Sequence, residues 1–231
     1  MSKSLEIFRF KYDKYSKLDT PTLFMNPGFK TVTKAVEETI CNVKETLKVK
    51  ANIRAFVLPD NTFAGKFNAM VSKNNDILFI GITEPLLRIL DNKELSFVIG
   101  HEIGHAIFGH VEIKNEYENL SSQCREISAD RVGFAAVNDI SVAASTIHKI
   151  KYGLKHQNVK FSIRSLMDWV KNPLKNYSTS HPIDSLRLES IIKFSMSKIY
   201  KEYINELSYV FENNKLDKLI YSKIKEQILH E

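Results

Sequence analysis

Two histidines and a glutamate lie within five consecutive residues near the middle of this 231-residue chain, in the segment His101-Glu102-Ile103-Gly104-His105. On a helix, side chains four residues apart project about 40° from each other, so both imidazoles can reach one metal ion. Glu102 follows the first histidine directly, where a carboxylate can take a proton from a metal-bound water and pass it to a leaving amine. This spacing predicts a zinc-dependent hydrolytic site with Glu102 as general base.

The residues around the motif predict a largely buried helix, since residues 95–111 read LSFVIGHEIGHAIFGHV. The apolar residues in this segment cover most of the faces of a helix. Burying histidine and glutamate there is costly unless the side chains are paired or bind a metal. The context therefore favours a metal site over two core histidines that only bond to protein.

A catalytic zinc site usually takes three protein ligands and leaves a fourth position for water. His110 is not expected to be the third, because on a continuing helix it points about 180° away from His101, and we expect it to cap the helix end. Glu126 and Asp130 are four residues apart and share one face of a second predicted helix. If that helix lies antiparallel beside the first, Glu126 can bind the metal, and Asp130 can hold a ligand imidazole.

Other roles for this second helix stay open. Taken alone, its carboxylates would form an exposed acidic face, paired with Arg125 and Arg131. Cys124 could offer a thiolate, but side chains two residues apart on a helix point about 160° from each other, so it is not expected to share a metal with Glu126. We expect Cys124 to be a buried, reduced thiol.

The elements that must position these residues form one α+β domain over residues 1–231, with a core at about 29–190. An amphipathic helix is expected from Phe29 to Lys48. Three short apolar segments bounded by turn residues predict strands at Ile53–Leu58, Phe67–Val71 and Ile77–Ile82. The rest is mostly helical. The expected fold is thus mostly helical with a small sheet of three or more strands and a helical extension at about 191–231.

Composition excludes several classes of protein. With 43% hydrophobic and 26% charged residues, the chain has the profile of a soluble globular protein. Its apolar runs are far shorter than the ~20 residues of a membrane-spanning helix, and no secretory signal is recognisable. The net charge of +6 comes from dispersed lysines, so no nucleic-acid partner is expected. Two cysteines, Cys41 and Cys124, are too few for a disulfide framework, which favours the cytoplasm.

Together, several segments resemble the gluzincin metallopeptidases, and within them the family of the heat-shock protease HtpX and the CAAX prenyl endopeptidases. The resemblance spans roughly residues 50 to 190. Its matching segments are Asn68-Ala69-Met70-Val71, Ile77-Leu78-Phe79-Ile80, Glu94-Leu95 before the histidine motif, Glu126-Ile127-Ser128-Ala129-Asp130 and Ser180-His181-Pro182. It implies a zincin-like fold that holds one zinc ion per chain.

The resemblance also implies roles for individual residues. Glu126 would be the third zinc ligand and Asp130 would orient an imidazole, as the spacing also suggests. His181 would approach the active site and stabilise the developing oxyanion. Arg187 resembles the arginine that follows this histidine, and we group it with the substrate-binding residues. The others in that group are Asn68, Ala69, Met70 and Val71, on an edge strand beside which an extended peptide would lie.

The expected function is that of a metalloendopeptidase acting on a peptide or protein substrate. One alternative is a catalytically silent or latent zinc-binding scaffold or peptide-binding module. Another is an aminopeptidase, which would need an acidic group to hold the free amine of its substrate. Many members of the family carry membrane helices, which this sequence lacks. Residues 1–28 and the segment beyond about 195 have no counterpart in the family, and gating, partner binding and simple packing are all open to them.

Overall fold

The computed structural model describes residues 5–13, 29–59, 67–74, 77–110, 119–153, 168 and 184–229. Its sheet has four strands, which are β1 (Lys30–Thr31), β2 (Asn52–Leu58), β3 (Ala69–Asn74) and β4 (Ile77–Thr83). The strand order is β1-β2-β4-β3, with β2 and β4 parallel and both edge strands antiparallel to their neighbours. The three expected strands are present, and the two-residue β1 was not foreseen.

Helices make up most of the described chain, which confirms the α+β class. They are α1 (Lys34–Leu47), α2 (Glu84–Ile89), α3 (Asn92–Ile107), α4 (Asn119–Val137), α5 (Ile140–Tyr152), α6 (Asp184–Ser195), α7 (Lys198–Tyr203) and α8 (Asn213–Leu229), preceded by a 3₁₀ turn at Leu5–Phe8. Across the described ranges, no helix combines the length and the apolar character needed to cross a bilayer.

Helix α3, which carries the histidine motif, begins at a well-defined cap. The Asp91 carboxylate accepts hydrogen bonds from the backbone N–H groups of Lys93 and Glu94, and the Glu94 side chain accepts one from the Asp91 N–H. Such a capping box stabilises a helix by roughly 0.5–2 kcal/mol. Glu94 also accepts hydrogen bonds from Ser145 and Lys149 of α5. The start of α3 is therefore tied to a neighbouring helix.

The other end of α3 differs from the sequence prediction, which continued the helix to Val111. The helix ends at Ile107, and Gly109 adopts a left-handed backbone conformation with φ of 75°. Glycine has no Cβ, so it takes this conformation without strain. The chain turns at Gly109, and His110 is therefore not on the helix.

Helices α3 and α4 approach each other closely because small residues line their contact. A Cβ built on Gly100 would lie 2.7 Å from the Ala136 Cβ, and one on Gly133 would lie 2.9 Å from the Phe97 carbonyl oxygen. Farther along α3, a Cβ on Gly104 would contact Val132. Phe97 contacts Gly133, His101 contacts Asp130 and His105 contacts Glu126, so the two helices are antiparallel, as expected.

Residues 5–13 and helix α8 share one hydrophobic core with α4. Phe8 and Phe10 are fully buried. The Lys11 backbone N–H donates to the Asp217 carboxylate at 2.8 Å, and Arg131 of α4 donates to the same carboxylate at 2.6 Å. From α8 the core receives Leu216, Ile220 and Ile224. Residues 5–13 and α8 are therefore integral to the core that packs against α4.

Candidate metal centre

Three ligand atoms from α3 and α4 converge on one point. The Nε2 atoms of His101 and His105 are 2.9 Å apart, and the Glu126 carboxylate oxygens lie 3.6 Å from the first and 3.4 Å from the second. All three residues offer a ligand atom within 4.8 Å of the others. Zinc bonds of 2.0–2.2 Å in a tetrahedron place ligand atoms about 3.3–3.5 Å apart. The donor set therefore fits zinc in atom type. The two distances to Glu126 lie near this range, and the distance between the histidine Nε2 atoms is shorter.

The His101 ring is oriented by a buried carboxylate. Its Nδ1 lies 3.0 Å from Asp130 Oδ1, and because a carboxylate only accepts, Nδ1–H is the donor. Arg187 donates two further hydrogen bonds to Asp130, from Nε at 2.8 Å and from Nη2 at 2.6 Å. Burial favours the neutral acid, but Arg187 and His101 outweigh it and hold the pKa of Asp130 below its usual range. Asp130 thus stays charged, and the Nε2 lone pair of His101 faces the metal position.

Arg187 therefore contacts Asp130, the carboxylate that orients the His101 ring. Its Nη2 also lies 3.9 Å from Glu126 Oε2, so one guanidinium faces both acidic residues of α4. Burial would lower the pKa of Arg187, but Asp130 and Glu126 raise it above its usual value. Arg187 also lines a cavity beside this centre. The sequence resemblance grouped it only with the substrate-binding residues, so its contact with Asp130 was not foreseen.

The His105 ring has a different set of partners. Its Nδ1 lies 2.9 Å from His110 Nδ1, and His110 Nε2 lies 2.8 Å from Asp13 Oδ2. Asp13 Oδ2 also accepts a hydrogen bond from Ser128 Oγ at 2.6 Å. Burial lowers the pKa of His110 to about 4, so its ring is neutral near pH 7. The expectation that His110 only caps a helix end is corrected, because the turn at Gly109 brings its ring to His105.

Negative charge surrounds the ligand histidines. Burial alone would lower the pKa of His105, but Glu126, Glu102 and Asp130 raise it above its usual value. Glu102 and Glu126 are themselves almost fully buried. Three carboxylates around two imidazoles create a potential that attracts a cation.

A cavity of about 320 Å³ opens onto the candidate centre at His101, Glu102 and Glu126. Most of the remaining wall is apolar, with a pair of opposite charges at 3.1 Å between Lys151 and Asp184. The other lining residues are Phe67, Asn68, Ala69, Phe97, Val98, Ile147, Ile150 and Arg187. A cleft of this size and character suits a peptide segment with an apolar side chain.

The strand β3 forms the sheet edge beside this cavity. The Asn68 carbonyl accepts a hydrogen bond from the Thr83 N–H at 2.9 Å, which directs the Asn68 backbone toward β4. Because backbone direction alternates along a strand, the N–H and C=O of Ala69 and Val71 point to the outer edge. Asn68 and Ala69 line the cavity, whereas Met70 and Val71 lie farther along the strand.

The remaining candidate residues are His181 and the two cysteines. His181, in its Ser-His-Pro turn, lies outside the described residues, so its role stays a prediction. Both cysteines are free, Cys41 exposed and Cys124 buried. Burial raises the pKa of Cys124 to about 12, which keeps it a thiol rather than a metal-binding thiolate. Sequence reasoning missed Asp13, because no motif surrounds it.

Comparison with known proteins adds one family match. Residues 32–124 match the family model described as Peptidase family M48. The matched segment contains β2 to β4 and all of α3, and it ends two residues before Glu126. No curated protein and no solved structure shows a significant similarity to the chain. The matched segment contains both histidines, and the structure adds the Glu126 carboxylate to them, so this part of the chain is similar to the M48 metallopeptidases.

Proposed function

We propose that this protein is a zinc-dependent metalloendopeptidase that binds one zinc ion per chain. The observation that carries the proposal is the convergence of His101, His105 and Glu126 at a cleft that Glu102 also lines. Two histidines and a glutamate are the donor set of catalytic zinc in several peptidases. Both histidine rings are oriented through their Nδ1 atoms, so their Nε2 atoms are the proposed ligands.

Bound zinc supplies Lewis-acid chemistry, polarising a carbonyl and lowering the pKa of water toward ~7. Glu102 accepts the proton of the attacking water and delivers it to the leaving amine. The buried position of Glu102 beside His101 keeps this carboxylate on the cleft wall. We also propose that His181 donates a hydrogen bond to the oxyanion.

The proposed substrate is an extended peptide or protein segment that pairs with β3. Ala69 lines the cleft and directs its backbone N–H and C=O away from β4. Among the described strands this side of β3 is the sheet edge, where a peptide can add as a further strand. The apolar side chains of Phe67, Ile147 and Ile150 would receive an apolar substrate residue near the scissile bond. The resemblance of the segments around Glu126 and His181 supports the further proposal that the chain is related to the HtpX and CAAX peptidase group.

The test is digestion of a mixed peptide library with and without a chelator, followed by mass spectrometry of the products. An endopeptidase releases internal fragments that disappear when the chelator is present. Stepwise loss of single amino-terminal residues would instead identify an aminopeptidase. Intact peptides in the presence of bound zinc would identify a silent scaffold or binding module.

A further inference from the structure

We propose that Asp13 and His110 are positioning residues that select the tautomer of His105 able to bind zinc. The inference rests on the proposed metal centre and concerns how one ligand of that centre is held. It joins a segment near residue 13, which the family resemblance does not cover, to the chemistry of α3.

The first step is the direction of the bond between Asp13 and His110. A carboxylate has no proton to donate, so His110 Nε2 must be the donor at 2.8 Å. Both side chains are almost fully buried, with 1% exposure for Asp13 and 3% for His110. Ser128 Oγ donates to the same Asp13 oxygen at 2.6 Å, which helps to hold the carboxylate in place. In a neutral ring, a proton on Nε2 leaves His110 Nδ1 as an acceptor.

The second step follows at His105. Its Nδ1 faces His110 Nδ1 at 2.9 Å, so His105 Nδ1–H is the donor and its Nε2 lone pair is directed to Glu126 and His101. In the opposite arrangement, His110 Nδ1–H would face His105. His105 would then have to accept, and its own proton would move to Nε2, where it blocks a metal. The carboxylate of Asp13 excludes this arrangement, because it needs a donor at His110 Nε2.

The backbone around Asp13 is fixed from two sides. The Phe10 N–H donates to Ser128 Oγ on α4 at 3.0 Å, and the Lys11 N–H donates to Asp217 on α8 at 2.8 Å. Asp13 is thus held against the same helix that supplies Glu126. His101 is oriented directly by Asp130. His105 is instead oriented by the pair Asp13 and His110, here called the relay, which lies outside α3 and α4.

The experiment measures the zinc dissociation constant by competition with a chromophoric chelator. His110→Phe removes the acceptor for His105 while keeping an aromatic ring. Asp13→Asn replaces a carboxylate that only accepts by an amide that can also donate, so a proton on His110 Nε2 is no longer required. Each variant should bind zinc about 10- to 100-fold more weakly, the effect typical of residues that orient a metal ligand. If both act through one chain, the double variant should bind no more weakly than His110→Phe alone. Arg9→Met is the control, because Arg9 anchors the same segment to the Phe108 carbonyl without joining the relay, and its zinc affinity should match the wild type.

Nitrogen NMR of the zinc-loaded wild type supplies a readout that needs no variant. His110 should be protonated at Nε2 and unprotonated at Nδ1. Protonation at Nδ1, unchanged zinc affinity in the folded variants, or additive losses in the double variant would each overturn the relay. A wild-type protein that binds no zinc would overturn the metal centre itself, which separates that failure from a failure of the relay alone.

Discussion

Gly104 of α3 lies against Ala129 of α4 so closely that a Cβ on Gly104 would be 3.0 Å from the Ala129 Cα. This contact lies beside the candidate centre, since His105 follows Gly104 and Glu126 is one helical turn before Ala129. The ligand atoms therefore meet because the two helix backbones are in near contact. The spacing of the helices sets the size of the metal site.

We expect Gly104→Ala to lower both stability and zinc affinity. Alanine improves helix propensity by about 1 kcal/mol, but overpacking a close backbone contact costs typically 1–3 kcal/mol. The obstructing atoms belong to the Ala129 backbone and the branched Val132 side chain, so overpacking should dominate. Urea unfolding and zinc titration test this, with Ser96→Ala as a control on the same helix. If Gly104→Ala had the same stability and zinc affinity as the wild type, the helix spacing would limit neither property.

The variants Glu102→Gln and Glu126→Gln should distinguish the role of the general base from that of the metal ligand. Glutamine cannot accept the proton of water, so Glu102→Gln should lose at least about 10²–10⁴-fold in turnover while retaining one equivalent of zinc. Glu126→Gln should lose zinc as well as activity, because a neutral amide is a weaker ligand. Elemental analysis and peptide hydrolysis distinguish the two. Full activity in Glu102→Gln would exclude it as the base.

Arg187→Lys tests whether Arg187 orients the metal site or binds substrate. Lysine keeps the charge but cannot form the two parallel hydrogen bonds to Asp130. We expect zinc affinity to fall by about tenfold, within the range for groups that support a metal ligand. If instead KM rises while zinc affinity is unchanged, Arg187 acts on the substrate.

Ala69→Pro tests the edge strand. Proline removes the N–H that points to the outer edge of β3, and it leaves the hydrogen bonds to β4 in place. KM should rise by about three- to tenfold, the size of one net hydrogen bond, with zinc content unchanged. Ala69→Ser keeps the N–H and serves as the control. A KM increase of the same size in both variants would point to the side chain and not to strand pairing.

Removing the metal should destabilise the fold. A ligand that binds only the folded state adds about 4 kcal/mol when present at a thousand times its dissociation constant. Chelation also removes the metal ion from beside His105, which both Glu102 and Glu126 face. The melting temperature should therefore fall in chelator and recover with zinc, while magnesium should not restore it, because magnesium prefers an all-oxygen site.

The local part of the site follows from sequence, because helical spacing alone relates His101 to His105 and Glu126 to Asp130. The α+β class and three strands also follow from apolar periodicity and turn residues. Asp13 could not be predicted, since it meets His110 across 97 positions of sequence and no pattern encodes such a contact. The predicted end of the α3 helix was wrong because apolar residues continue to Val111, and periodicity does not show where Gly109 turns the chain. The short β1 has two exposed residues and hence no alternation to detect.

The bond between Lys11 and Asp217 joins positions 206 residues apart. During synthesis on the ribosome, the nascent chain exposes both histidines of α3 well before α8 has emerged to secure the segment that bears Asp13. Under the proposed relay, the metal centre is therefore complete only after α8 has been synthesised. On the proposed function, peptidase activity would arise only after the protein has folded, when its own chain is hard to cleave.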